Sequence, residues 1–201
     1  MAQPLQPYNA LQIVTAPATT PITLAEAKEQ LRIEHADDDV LVTRLIAVAT
    51  AYTDVKGALG QAMITQTWAQ WMGANPTQSI NLLIGPVQSV TAVKYYDTDG
   101  ELQTDDINNY QVFGTEFATY VGPKDGFSWP VAQDRADAIK IEYVVGYGDA
   151  ATDVPDTIRH ALFLLIGHWY DNREQTTTDR LEDIPWGFEA LMNMHRAQWY
   201  G

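Results

Sequence analysis

Residues 155–170 read PDTIRHALFLLIGHWY. Ile158, Ala161, Leu162, Leu165 and Trp169 recur there at helical spacings, and Pro155 stands where a first helical turn has no use for its missing amide. The stretch predicts a helix with a continuous apolar face, and a lone helix cannot keep such a face out of water. Working upstream, residues 22–60 offer the cover. Thr23 followed by Glu26 is a capping-box spacing, which starts a short helix running to about Ile33. Asp37, Asp38 and Asp39 then precede Val40, Leu41, Leu45, Val48, Ala49, Tyr52 and Val55, read as the apolar face of a second helix. The acidic triplet sits where a helix dipole favours negative charge, and Gly57 and Gly60 supply stop signals.

Between these helical zones the period changes to two. Residues 63–72, 79–84, 87–96, 110–113, 117–121 and 138–145 read as strands separated by Gly, Pro, Asn and Asp clusters. Asp97-Thr98-Asp99-Gly100 is a hairpin turn signal. The expected fold class is α+β, a helical domain formed by the N- and C-terminal helices with an inserted antiparallel β domain. The expected boundaries are a lead-in over 1–21, the helical domain over 22–60 and 150–173, and the β domain over 61–149. A linker and C-terminal aromatic helix or tail follow over 174–201. Residues 174–183 are polar, and Pro185 opens a last helix carrying Phe188, Leu191, Met192 and His195.

The 201 residues include 26 acidic and 12 basic side chains, for a formal charge of −14. The excess is spread along the chain, at −3 for residues 1–60, −7 for 61–149 and −4 for 150–201. Such a surface repels phosphate backbones and argues against a protein that reads nucleic-acid sequence. The absence of cysteine removes disulfides, thiolate catalysis and cysteine-ligated metals. The first 21 residues lack a basic segment followed by an apolar one, and the most apolar run, 161–166, is far too short to span a bilayer. A soluble protein of a cytoplasm-like compartment is expected.

Little in the chain points to chemistry. His160 and His168 lie eight residues apart on one helix, roughly 12 Å along its axis, too far to share a metal ion. His35 and His195 have no ligand at a zincin-like spacing. Asp97, Asp99, Gly100 and Glu101 resemble the start of a calcium loop, but the closing acid would fall on Asn108, so a plain turn is expected. Capping explains the 37–39 triplet without an ion. The nucleophile elbow, Walker loop and dinucleotide fingerprint are absent. No catalytic residue, cofactor or metal is expected. What stands out is aromatic: Trp169, Tyr170, Trp186, Phe188, Trp199 and Tyr200 fall in the last 33 residues, and such side chains anchor protein interfaces.

Two runs bear a family likeness. Pro21-Ile22-Thr23-Leu24-Ala25-Glu26-Ala27-Lys28-Glu29-Gln30-Leu31-Arg32-Ile33, with Asp37 to Asp39 and Leu45 to Thr50, resembles the entry of the tailed-phage head–tail connector (adaptor) proteins. Val154 to Leu162, continuing through Gly167-His168-Trp169-Tyr170 to Asn172-Arg173-Glu174, is similar to that family's C-terminal helix. The β insertion, with Tyr95-Tyr96-Asp97, Gly100 and Asn109-Tyr110, resembles the version in certain prophages and gene transfer agents. The likeness covers about residues 20–175.

The resemblance implies a non-enzymatic ring, usually of twelve copies, beneath the portal of a phage or phage-like particle, in the neck of the virion and assembled in the bacterial cytoplasm. It would extend the DNA channel, pass DNA without sequence-specific binding, have no membrane partner, and dock the next neck or tail protein. Trp186, Phe188, Leu191, Met192, Trp199 and Tyr200 are the expected interface with the portal or another partner, on a tail expected to be mobile in the free subunit. Two other readings compete. One is a carboxylate-dependent hydrolase built on the β zone, which needs two converging carboxylates with shifted titration. The other is a monomeric ligand-binding β module with Trp68, Trp71 and Trp129 as its platform.

Overall fold

The computed structural model describes residues 10–74, 76, 79–115, 118–172 and 186–196. The fold is mixed α+β, and the chain divides into two compact units, each assembled from separated pieces of sequence. Residues 1–16 and 66–146 make the β unit; residues 17–65 and 147–201 make the helical unit.

The β unit holds β1 (Ala10–Thr15), β2 (Gln66–Met72), β3 (Ile80–Leu82), β4 (Val87–Tyr96), β5 (Leu102–Asp105), β6 (Tyr110–Thr115), β7 (Ala118–Pro123) and β8 (Ile139–Val145). A five-stranded sheet runs β1-β2-β8-β4-β5 and a three-stranded sheet β3-β7-β6, antiparallel throughout. Central β8 alternates strictly: Ile139, Ile141, Tyr143 and Val145 are buried and the residues between them less so, the period-two pattern of a strand with one core face. Gln70 ties β2 to β3, its amide donating to the Asn81 carbonyl at 3.0 Å and its oxygen accepting from the Leu83 amide at 3.1 Å. That satisfies a buried polar side chain that would otherwise cost stability.

The lead-in expected over 1–21 contains a strand that the sequence did not mark, and residues 1–9 lie outside the described residues. Residues 10–15 form an edge strand on β2, with Ala10 opposite Trp71 and Ile13 opposite Trp68. At the sheet edge among the described strands, β1 is half-buried at Ala10 and exposed at its other five positions, so it lacks the in–out alternation by which strands are recognised.

The helical unit contains α1 (Leu24–Leu31), α2 (Asp39–Thr53), α3 (Asp156–Asp171) and α4 (Trp186–Asn193). The capping box forms: the Thr23 amide donates to the Glu26 carboxylate at 2.9 Å and the Glu26 amide to the Thr23 hydroxyl at 3.3 Å. Asp39 starts α2 and pairs with Lys28 at 2.5 Å. Gly57 closes α2's end, where the Ala58 and Leu59 amides turn back to the Tyr52 and Thr53 carbonyls. A Cβ at Gly57 would lie 2.0 Å from the Tyr52 oxygen, so no other residue fits.

Buried on α3 are Ile158, Ala161, Leu162, Leu165 and Ile166, with Trp169 half-buried at the edge of the core. On α2 the buried positions are Val42, Ile46, Ala49 and Thr53. The face expected for α2 is thus corrected. Val40, Val48 and Tyr52 are exposed, and the helix is rotated by roughly a quarter turn from that reading. Residues 40–53 are apolar around almost the whole circumference, with Arg44 the lone charged side chain, so spacing could not choose which side faces in.

Candidate functional site

No reaction centre assembles among the described residues. The carboxyls of Glu26, Asp97, Asp137 and Glu142 are held low. A general acid needs the opposite. On Glu142 the upward push of burial is outweighed by Lys140 at 2.7 Å and Lys94 at 3.0 Å. Asp97 is the pivot of a turn, held low by the Gln103 amide and by the Glu101 and Asp99 backbone amides. The histidines are dispersed: His160 is exposed, His35 faces Asp37 at 3.8 Å, and His168 accompanies Asn172. Among the described residues, no three His, Asp or Glu side chains are placed to hold a metal ion, and no helix is long and apolar enough to cross a membrane.

The tryptophan platform does not form. Trp68 is buried and donates to the Gln66 side chain at 3.0 Å. Trp71, three residues on and hence on the other face of β2, stacks on Tyr96 beneath Lys140. Trp129 tilts against Tyr110, ring centroids 5.1 Å apart.

The candidate binding surface is on α4, where Trp186 is exposed. This helix packs along α3, with Phe188 and Met192 buried in the helical core and the Phe188 ring 6.0 Å from that of Tyr52. The expected partner interface is thereby divided. Phe188 and Met192 are spent on the protein's own core, so they hold the helix in place and are closed to a partner. Leu191 is half-buried. Trp186, at the first position of α4, is 86% exposed. Trp199 and Tyr200 lie outside the described residues. Beyond the helix, Arg196 donates to the Ala58 carbonyl at 2.8 Å. Glu189 and Ala190 are exposed beside Trp186, and Met194 is 63% exposed. A wide indole, which folding would ordinarily bury or half-bury, is presented on a rigid support instead.

Sequence reasoning anticipated a helix here but not its attachment, because Phe188 and Met192 are spaced as well for a core as for a docking face. A family model described as "Head completion protein" matches residues 20–196. A comparison with curated proteins gives no match. Among solved structures, a chain from the virion of a native gene transfer agent (GTA) particle is 22% identical, with a TM-score of 0.74 over 94% of this chain and 95% of that one. A chain from the neck of an empty GTA particle, computed with C6 symmetry, is 20% identical, with a TM-score of 0.75 over 94% and 96%. One from the neck of a native GTA particle, computed with C12 symmetry, is 20% identical, with a TM-score of 0.67 over 94% and 96%.

Proposed function

The chain belongs to the head completion protein family, and from that premise we propose that it is a non-enzymatic head-to-tail connector. In this reading copies form a ring, of twelve subunits, under the portal of a tailed phage or phage-like particle. The ring extends the DNA channel and docks the next neck or tail protein. Its place is the neck of the virion, with assembly in the bacterial cytoplasm. The necks that supplied two of the similar chains were computed with C6 and C12 symmetry, which a ring of twelve satisfies. An excess of 26 acidic over 12 basic residues suits a wall past which DNA slides, since like charge keeps phosphates from sticking.

The observation that carries the docking part is Trp186, exposed on a helix whose neighbours Phe188 and Met192 are anchored. Rigid aromatic anchors of this kind carry much of an interface's energy. In this proposal Trp186 and Leu191 face the portal, with Trp199 and Tyr200 as further contacts. The test is a pull-down of Trp186→Ala on isolated portal rings, alongside its thermal melt. Unchanged melting with portal affinity reduced by about tenfold or more is expected; unchanged affinity rejects Trp186 as the anchor.

A further inference from the structure

We propose that the outward face of α2 is the seam between adjacent copies, meeting a different, acid-bearing surface of the next subunit. This rests on the ring reading above and names the contact that closes it. Val40, Arg44, Ala47, Val48 and Ala51 fall within about 100° of one another on the helix. They lie opposite the buried Val42, Ile46, Ala49 and Thr53. All five are exposed, Val40 at 73% and Val48 at 48%. The stripe runs for about 17 Å.

Its composition is not that of a solvated helix face. In a chain with more than twice as many acids as bases, residues 40–53 contain no carboxylate and one cation, Arg44. Water-facing helix sides are ordinarily charged, and an apolar strip of this length is a recognition feature. Ala47 and Ala51 keep the C-terminal half of the strip low, which lets another element approach at close helix-packing distance there. The helix is thus built for burial on two sides, and its own unit covers one.

Charge selects the occupant. The helical unit carries 16 acidic and 8 basic residues, so a second copy offers Arg44 more carboxylates than cations. The exposed acids include Glu29, Glu34 and Asp37 beside α1 and Asp171 at the end of α3. Pairing the stripe with itself about a two-fold axis would instead bring two Arg44 side chains into one interface with no acid among the stripe residues. The favoured contact is therefore head-to-tail, the kind that generates rings rather than closed dimers.

The chain has no cysteine, so Ala47→Cys supplies a single thiol in the middle of the stripe. Its maleimide labelling is to be compared between the monomer and the ring, the latter assembled on portal or in raised salt. Labelling slowed by about tenfold or more in the ring is expected, as is loss of the ring in Val48→Asp with an unchanged melt. Failure of Ala47→Cys itself to assemble, with its melt intact, also counts for the seam. An Ala47→Cys ring whose thiol reacts as fast as in the monomer, or a Val48→Asp chain that still forms rings, overturns the seam and leaves the connector reading standing. So does protection that appears only when a portal or tail-side protein is added to an already formed ring. Disulfide-linked dimers of Ala47→Cys overturn the head-to-tail arrangement. A wild-type chain that forms no ring under either condition overturns the connector reading and this contact with it.

Discussion

His195 Nε2 lies 2.5 Å from the Thr157 hydroxyl, joining the turn after α4 to the first turn of α3. Together with Phe188 and Met192 in the core, this contact makes the C-terminal helix part of the unit it was expected merely to trail from. Truncation after Asn172 is therefore expected to lower the melting temperature of the helical unit as well as to remove the proposed docking surface.

The inner and outer sides of α4 are expected to respond in opposite ways. Phe188→Ala should cost about 3–5 kcal/mol, and Leu165→Ala, at the centre of α3's buried face, about 2–5 kcal/mol. Trp186→Ala should change stability by less than about 0.5 kcal/mol. Chemical denaturation of the three variants reads this directly, and a loss at Trp186 comparable to that at Phe188 would place the indole in a core.

A pH dependence follows from α1. Partial burial pushes the Glu26 carboxyl up, but the Thr23 amide and hydroxyl and the Arg159 guanidinium outweigh it, so its folded pKa lies below the ordinary 4.5. A carboxyl lowered by folding stabilises the protein above its ordinary value, and that contribution disappears as the pH falls through the lowered one. Melts of wild type and Glu26→Gln should differ most at about pH 6 and converge toward about pH 3. A gap that widens in acid would contradict the sign.

The legible parts of this fold are those where one physical signal dominates. The capping box at Thr23 and Glu26, the apolar face of α3 and the alternation of β8 each have a single reading. The stripe on α2 had two, because a helix that is apolar all round satisfies every choice of face equally. β1 had none, because an exposed edge strand is held by backbone pairing to β2 and leaves no trace in side-chain polarity. At the candidate site, the aromatic composition of residues 186–192 was visible, but the division into an anchored Phe188 and a presented Trp186 depends on how α4 is rotated against α3. Only packing decides that.

The helical unit should survive excision of the β unit. Thr65 donates to the Gly148 carbonyl at 2.9 Å and Tyr147 to that of Met63 at 3.1 Å, so the two chain segments already lie side by side. Removing residues 1–16 and replacing 66–146 with a short glycine linker should leave a helical protein with a cooperative melt. A far-UV spectrum without helix would show that the helices need the β unit to fold.

Assembly is expected to depend on salt. Each subunit brings −14, and at about 0.15 M salt a Debye length near 8 Å screens neighbours in a ring only partly. Exposed Arg32 and Arg44 can offset this locally but not overall. The free protein should sediment largely as a monomer at low salt and micromolar concentration, and form rings on a portal template or as salt rises. A stable ring at low salt without portal would show that apolar burial at the seam outweighs the repulsion.

Because each unit is stitched from distant pieces of chain, synthesis runs ahead of folding. β1 leaves the ribosome long before its partner β2, and α1 and α2 before the α3 that covers them. More than a hundred residues separate Thr53 from Asp156, a delay of roughly 5–20 s at bacterial-like elongation rates of about 5–20 residues per second. During that interval both apolar sides of α2 are open. The order of emergence thus makes the nascent chain, more than the finished subunit, the form that most needs a chaperone. Moving α3 ahead of the β segment by circular permutation should shorten the exposure without altering the final fold.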